Sequence, residues 1–91
     1  MAFRQTFKAL SDPTRREILD ILKHGWRTAG EIASAFDLSA ATVSHHLAIL
    51  REAELVTDEK VGKYIYYEIN TTVIDEILAW ATSLKEGESH D

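Results

Sequence analysis

Apolar positions along the chain recur first at helical spacing, then alternate, then return to helical spacing. Phe3, Phe7 and Leu10 sit at i, i+4, i+7, which predicts a short amphipathic helix. The segment "SDPTRREILDILKHG" predicts a second. Asp12 suits the N-cap, Pro13 the first helical position, Ile18, Ile21 and Leu22 the apolar stripe, and Gly25 a left-handed end. A third, of about nine residues, opens at Thr28, with Glu31 at capping-box spacing and Ile32 and Phe36 on the apolar side. Asp37 and Leu38 turn, and Ser39 caps a fourth helix, "AATVSHHLAILREA". Two helices joined by a turn this short make a helix-turn-helix pattern.

Two strand-like runs follow, "ELVTDEKV" and "YIYYEIN", separated by Gly62-Lys63, a two-residue hairpin signal. Ile65, Tyr67 and Ile69 alternate there with Tyr64, Tyr66 and Glu68. Asn70 then caps a last helix, "TTVIDEILAWATSLKE", and residues 87–91 read as a frayed tail. The expected fold is mainly α with a small β-hairpin. It is a winged helix-turn-helix, in the order helix-helix-helix-helix-strand-strand-helix, forming one domain over residues 1–91 and acting as a dimer.

The fourth helix decides the function class. At about 100° per residue, Val43, Leu47 and Leu50 share one side, flanked by Ala40 and His46. Ala41, Ser44, His45 and Ala48 share the other. A helix entering a major groove about 12 Å wide needs low relief and groups that hydrogen-bond to base edges. Its N-terminal half does most of the reading. Ala and Ser are also ordinary on any solvated helix face, so the face acquires meaning only from the capped helix before it and the hairpin after it. The adjacent histidines diverge by about 100° and cannot share one metal. His45 points outward, toward DNA. His46 lies beside the buried stripe, where a structural hydrogen bond competes with a phosphate contact. Thr28, Ala29 and Ser39, at helix starts, can offer hydroxyl and N–H groups to phosphates. Lys60 and Lys63 flank the hairpin tip and can reach a neighbouring phosphate, although Asp58 and Glu59 on the same hairpin oppose this. The candidate DNA-binding set is thus Thr28, Ala29, Ser39, Ala40, Ala41, Thr42, Ser44, His45, His46, Lys60 and Lys63.

On the last helix, Val73, Ile74, Ile77, Leu78, Trp80, Ala81 and Leu84 span about 160°, wider than the roughly 100° that one core needs. Phe3, Phe7 and Leu10 add to this surplus. The candidate dimer interface is Phe3, Phe7, Leu10, Ile74, Ile77, Leu78, Trp80, Ala81 and Leu84; the competing reading is that they complete the monomer core. A two-fold dimer presents recognition helices to successive major grooves, about 34 Å apart.

Charge modifies this picture. The net charge of −5 looks wrong for a nucleic-acid binder, but residues 1–30 carry six basic against three acidic residues, and residues 31–91 four against twelve. Any DNA affinity is then modest or strongly salt-dependent. The chain of 91 residues has no cysteine, which excludes disulfides, thiolate metal sites and thiol redox sensing. No run approaches the roughly 18 apolar residues of a membrane span, and Arg4, Gln5 and Thr6 break any signal-peptide core. The expectation is a cytoplasmic protein with no membrane insertion.

The segments "ALSDPTRREILDIL", "LSAATVSHHLAILREAELV" and "GKYIYYEIN" together resemble the ArsR/SmtB family of bacterial winged-helix repressors. "INTTV", Ile69 to Val73, is similar to the SdpR-like, cysteine-free branch. The likeness covers about residues 3–84. It implies a homodimeric transcriptional repressor on an inverted-repeat operator in double-stranded promoter DNA, with Ser44 and His46 in the family's S-x-H-L segment. Many relatives sense metals through cysteines on the helix "GEIASAFDLS" occupies here, or through Asp and His pairs on the last helix. Neither set is present, so no metal and no cofactor are expected. Glu54 stands where relatives often have glycine, and a left-handed backbone there would strain it. The releasing signal is not written in the chain; a regulatory protein partner is one candidate. A rival from another class, a winged-helix protein-interaction module without specific DNA binding, draws support from the acidic balance. An enzyme reading finds no paired carboxylates with a nucleophile and no glycine-rich phosphate loop.

Overall fold

The computed structural model describes residues 3–87. The elements are α1 (Arg4–Leu10), α2 (Pro13–Leu22), β1 (Arg27–Thr28), α3 (Ala29–Phe36), α4 (Ala40–Glu52), β2 (Val56–Val61), β3 (Tyr64–Ile69) and α5 (Thr71–Glu86). The predicted N-caps are in place. Asp12 accepts from the N–H groups of Thr14 and Arg15, Ser39 from Thr42, and Asn70 from Thr72. Thr28 and Glu31 form the reciprocal capping box at the start of α3. Gly62 has φ +64 and Lys63 does not, the sign pattern of a type II′ hairpin turn with glycine first. α2 ends at Lys23, with Gly25 beyond it at φ +128 rather than in the compact left-handed region. Of the tail, Gly87 caps α5 through its N–H on Ser83 O, and residues 88–91 lie outside the described residues.

One element is additional to the sequence reading. Arg27 and Thr28 form β1 and pair antiparallel with Tyr67 and Tyr66, giving a three-stranded sheet in the order β1-β3-β2. The N-cap residue Thr28 is extended, with φ −82° and ψ 162°. An N-cap must leave helical geometry, and here the extended backbone lies against the hairpin.

The core joins Ala9 of α1, Ile18 and Leu22 of α2, Ile32 and Ala33 of α3, and Val43, Leu47 and Leu50 of α4. Ala53, Leu55, Val56 and Val73 complete it. The predicted inner side of α4 is thus buried. α1 behaves otherwise than a buried amphipathic helix. It turns Thr6 and Ala9 inward, half-buries Leu10 and leaves Phe7 exposed, with Phe3 half-buried at its N-cap.

Glu54 adopts φ +62. It closes α4 in a Schellman arrangement: its N–H donates to Arg51 O and the N–H of Leu55 to Leu50 O, both at 2.9 Å. A left-handed non-glycine residue costs roughly 1–2 kcal/mol, and glycine gives back about 0.4–1 kcal/mol in the unfolded chain. Glu54→Gly should therefore raise unfolding stability by about 0.5–1 kcal/mol in urea titration. Glu54→Gln, which removes only the charge, should gain little of this; an equal gain would assign the effect to charge.

Candidate nucleic-acid interface

α4 is held by the buried Val43, Leu47 and Leu50, with His46 and Ile49 half-buried beside them, and leaves its other side open. Ala40, Ala41, Thr42, Ser44, His45 and Ala48 are exposed. Ser39 spends its hydroxyl locally. Its Oγ accepts from the Thr42 N–H at 3.1 Å and donates to Thr42 Oγ1 at 2.9 Å, which leaves the Thr42 hydroxyl proton to donate outward. His46 is half-buried, with Nδ1 3.2 Å from Arg15 Nη1. A guanidinium only donates, so Nδ1 is the acceptor and the ring's proton sits on Nε2. His46 is anchored inward, as the structural side of its sequence reading required.

A groove of about 360 Å³ runs beside α4, lined by Thr28, Ala29 and Gly30, by Ser44, and by the wing residues Lys63, Tyr64, Ile65 and Tyr67. It brings together four of the predicted residues: Thr28, Ala29, Ser44 and Lys63. Ser39, Ala40, Ala41, Thr42, His45, His46 and Lys60 lie outside its lining. Gly30, Tyr64, Ile65 and Tyr67 were not anticipated there. Their sequence signal was the alternation in β3, which puts Ile65 and Tyr67 on one face.

Two electrostatic details modify the expected contacts. At the start of α3, Glu31 Oε1 accepts from the Thr28 N–H at 2.9 Å, so a carboxylate already occupies part of the N-terminus offered to phosphate. On the wing, Asp58 and Glu59 are not equivalent. Asp58 pairs with Arg51 Nη1 at 2.8 Å. Strand alternation puts Asp58 and Lys60 on the face of Tyr67 and Ile65, their register partners, and Glu59 on the face of Tyr66. The groove side of the wing therefore carries Lys60 and a neutralised acid. Lys63 Nζ stands 5.8 Å from the centre of the Tyr64 ring. At the N-cap of α2, burial pushes the Asp12 carboxyl up. The backbone N–H groups of Arg15 and Thr14, then the pull of the Arg15 guanidinium, outweigh this and hold it below the ordinary carboxylate value.

The second candidate surface lies at the chain ends. In the first turns of α5 Val73 is buried and Ile74 and Ile77 touch the core; beyond them α5 meets α1 through Trp80. From Leu78 onward every described residue is exposed, with Leu78 and Leu84 each at 59%. Phe3, Phe7 and Trp80 form a triangle of rings with centroids 5.7–6.0 Å apart, and Trp80 remains 43% and Phe7 42% exposed. The Cα radius of gyration is 15.1 Å, against about 12 Å for a compact chain of this length. Among the described residues no three His, Cys, Asp or Glu side chains gather as a metal site, and no helix is long and apolar enough to cross a membrane.

Comparison with known proteins agrees with this geometry. Residues 12–58 match the family model for bacterial regulatory proteins of the arsR family. The transcriptional repressor SdpR of Bacillus subtilis (strain 168) is 54% identical over 74 residues, covering 81% of this chain and 82% of SdpR. An arsenical resistance operon repressor of Staphylococcus aureus is 41% identical over 71 residues, 78% of this chain and 68% of that one. Among solved structures, a crystal structure of an ArsR family transcriptional regulator superposes with a TM-score of 0.83 at 30% identity, over 96% of this chain and 91% of that one. The solution structure of a homodimeric winged helix-turn-helix DNA-binding domain from Mycobacterium bovis gives 0.75 at 28% identity, over 94% and 80%. These relatives are regulators and not enzymes, and the resemblance read from the sequence holds, its SdpR-like branch included. The chain belongs to the ArsR family of bacterial regulatory proteins and has its winged helix-turn-helix fold.

Proposed function

We propose that this chain is a cytoplasmic transcriptional repressor that binds an inverted-repeat operator as a homodimer, each copy acting as one winged helix-turn-helix unit. The observation that carries the reading is the open strip of α4, Ala41, Ser44, His45 and Ala48, beside a groove walled by the wing. The repressor relatives and the homodimeric neighbour support it. Ser44 and His45 read base edges, and the low relief of Ala40 and Ala41 lets α4 approach. Thr42, the Ala29 N–H, Lys60 and Lys63 take phosphates. Thr28 and Ser39 contribute chiefly as caps. His46 supports α4 from inside, with its Nε2 edge alone left for a phosphate. Repression does not depend on a bound metal in this reading. With thiol sensing excluded by composition, the releasing signals left open are a protein partner, a small molecule at the dimer interface and simple abundance control.

The test is binding to the chain's own upstream DNA at several salt concentrations. Operator affinity should exceed non-specific affinity by about 10³ or more. Ser44→Ala with His45→Ala should cut that ratio by about 10- to 100-fold. The acidic balance favours the rival interaction-module reading, and a wild-type ratio near one would establish that rival instead. An intact ratio in the double variant would move base reading off α4.

A further inference from the structure

Arg15 has a side chain only 12% exposed although the sequence reading gave it no task. It sits in the first turn of α2 and reaches two other helices. Nε donates to Ala9 O of α1 at 2.8 Å, and Nη2 reaches Lys8 O at 3.5 Å. Nη1 donates to His46 Nδ1 of α4 at 3.2 Å, with Asp12 Oδ2 3.9 Å away. The last carbonyls of a helix lack intrahelical partners. Arg15 therefore closes the end of α1 while holding the middle of α4. α1 carries the exposed Phe7 of the aromatic triangle, and α4 carries the DNA strip. One planar fork thus spans the helix at the dimer surface and the helix at the DNA surface.

We infer that Arg15 is a positioning residue for DNA binding: through Ala9 O and His46 Nδ1 it fixes the angle between α1 and α4. The inference rests on the dimeric repressor reading for its consequence, though not for its geometry. Two recognition helices must meet grooves about 34 Å apart, and any play between α1 and α4 is magnified in that spacing. Lysine cannot replace Arg15. Its ammonium is a single point on a flexible stem, whereas the guanidinium aims several donors in fixed directions. Glutamine can replace His46, because its amide oxygen also accepts; leucine has similar bulk and no acceptor.

The experiment reads orientation directly and without DNA. The chain has no cysteine, so Arg4→Cys on α1 and Ala48→Cys on α4, both exposed positions, take spin labels at two sites only. Labelled protein is diluted with unlabelled protein so that distances within one copy are measured. With His46 and Arg15 intact the distance distribution should be narrow. Arg15→Lys and His46→Leu should each broaden it about twofold, and His46→Gln should leave it narrow. Unlabelled Arg15→Lys and His46→Leu should also bind operator about tenfold more weakly, with helix content unchanged. Distributions as narrow as wild type in both variants overturn the inference, as does a His46→Gln distribution as broad as that of His46→Leu. A wild-type protein with no operator preference, whose distances still respond as expected, defeats the repressor reading and with it the role in DNA binding, and leaves only the fixed angle between α1 and α4 standing.

Discussion

Replacing Leu78 and Leu84 by glutamate should yield a folded monomer that binds operator DNA about 10²–10⁴-fold more weakly than the wild type, the usual gain from tying two weak sites together. Both leucines are 59% exposed on α5, past the last residue that touches the core. Their loss therefore costs the isolated chain almost nothing. Their burial against a second copy is another matter. Each fully buried leucine contributes about 1.5–3 kcal/mol, and a two-fold interface counts every substitution twice. Two carboxylates brought to that seam on each copy also lose water without a partner. Sedimentation should change from dimer to monomer at micromolar concentration, while the circular dichroism of the helices stays near that of the wild type. Binding to non-specific DNA should change far less, because one copy suffices for phosphate contacts. A double variant that remains dimeric would place the seam elsewhere on the chain.

Local chemistry was legible in the sequence because its determinants are local. Asp12-Pro13, Thr28 with Glu31, Ser39 and Asn70 each name a helix start within four residues, and each cap forms. Val43, Leu47 and Leu50 name the inner side of α4 by spacing alone. Glu54 was flagged by the family's usual glycine, and its φ of +62 bears this out. What escaped depends on contacts far apart in the chain. β1 is two residues long, too short for any period, and exists because Tyr66 and Tyr67 come to it. The roles of Arg15 and Arg51 are set by His46 and Asp58, 31 and 7 positions away. A count of charges assigns neither side chain a partner, whereas the fold turns Arg15 inward onto His46 and pairs the exposed Arg51 with Asp58. Phe7 shows the same limit in reverse: its helical spacing with Phe3 and Leu10 is real, yet the inward side of α1 is Thr6 and Ala9.

Leu47→Ala should have the largest effect on stability, a loss of about 2–5 kcal/mol in urea unfolding. Leu47 is fully buried at the centre of α4 and belongs to the one cluster that joins helices and sheet. Native domains hold roughly 0.05–0.15 kcal/mol per residue, so a chain this size has little to spare. The expected fall in melting temperature is about 8–40 °C, at about 4–8 °C per kcal/mol. Leu47→Met, which keeps most of the volume, should cost less than about 1.5 kcal/mol, and Ala48→Ser on the opposite, exposed side less than about 0.5 kcal/mol. The neighbouring pair separates the two faces of one helix. A core defect at Leu47 weakens DNA binding only by depleting folded protein, so cooling or added operator DNA should restore it by mass action. A defect at Ser44 and His45 leaves folding alone and persists at every temperature. If Leu47→Ala cost no more than Ala48→Ser, α4 would not be anchored through its inner side, and the strip it offers to DNA would have no fixed aim.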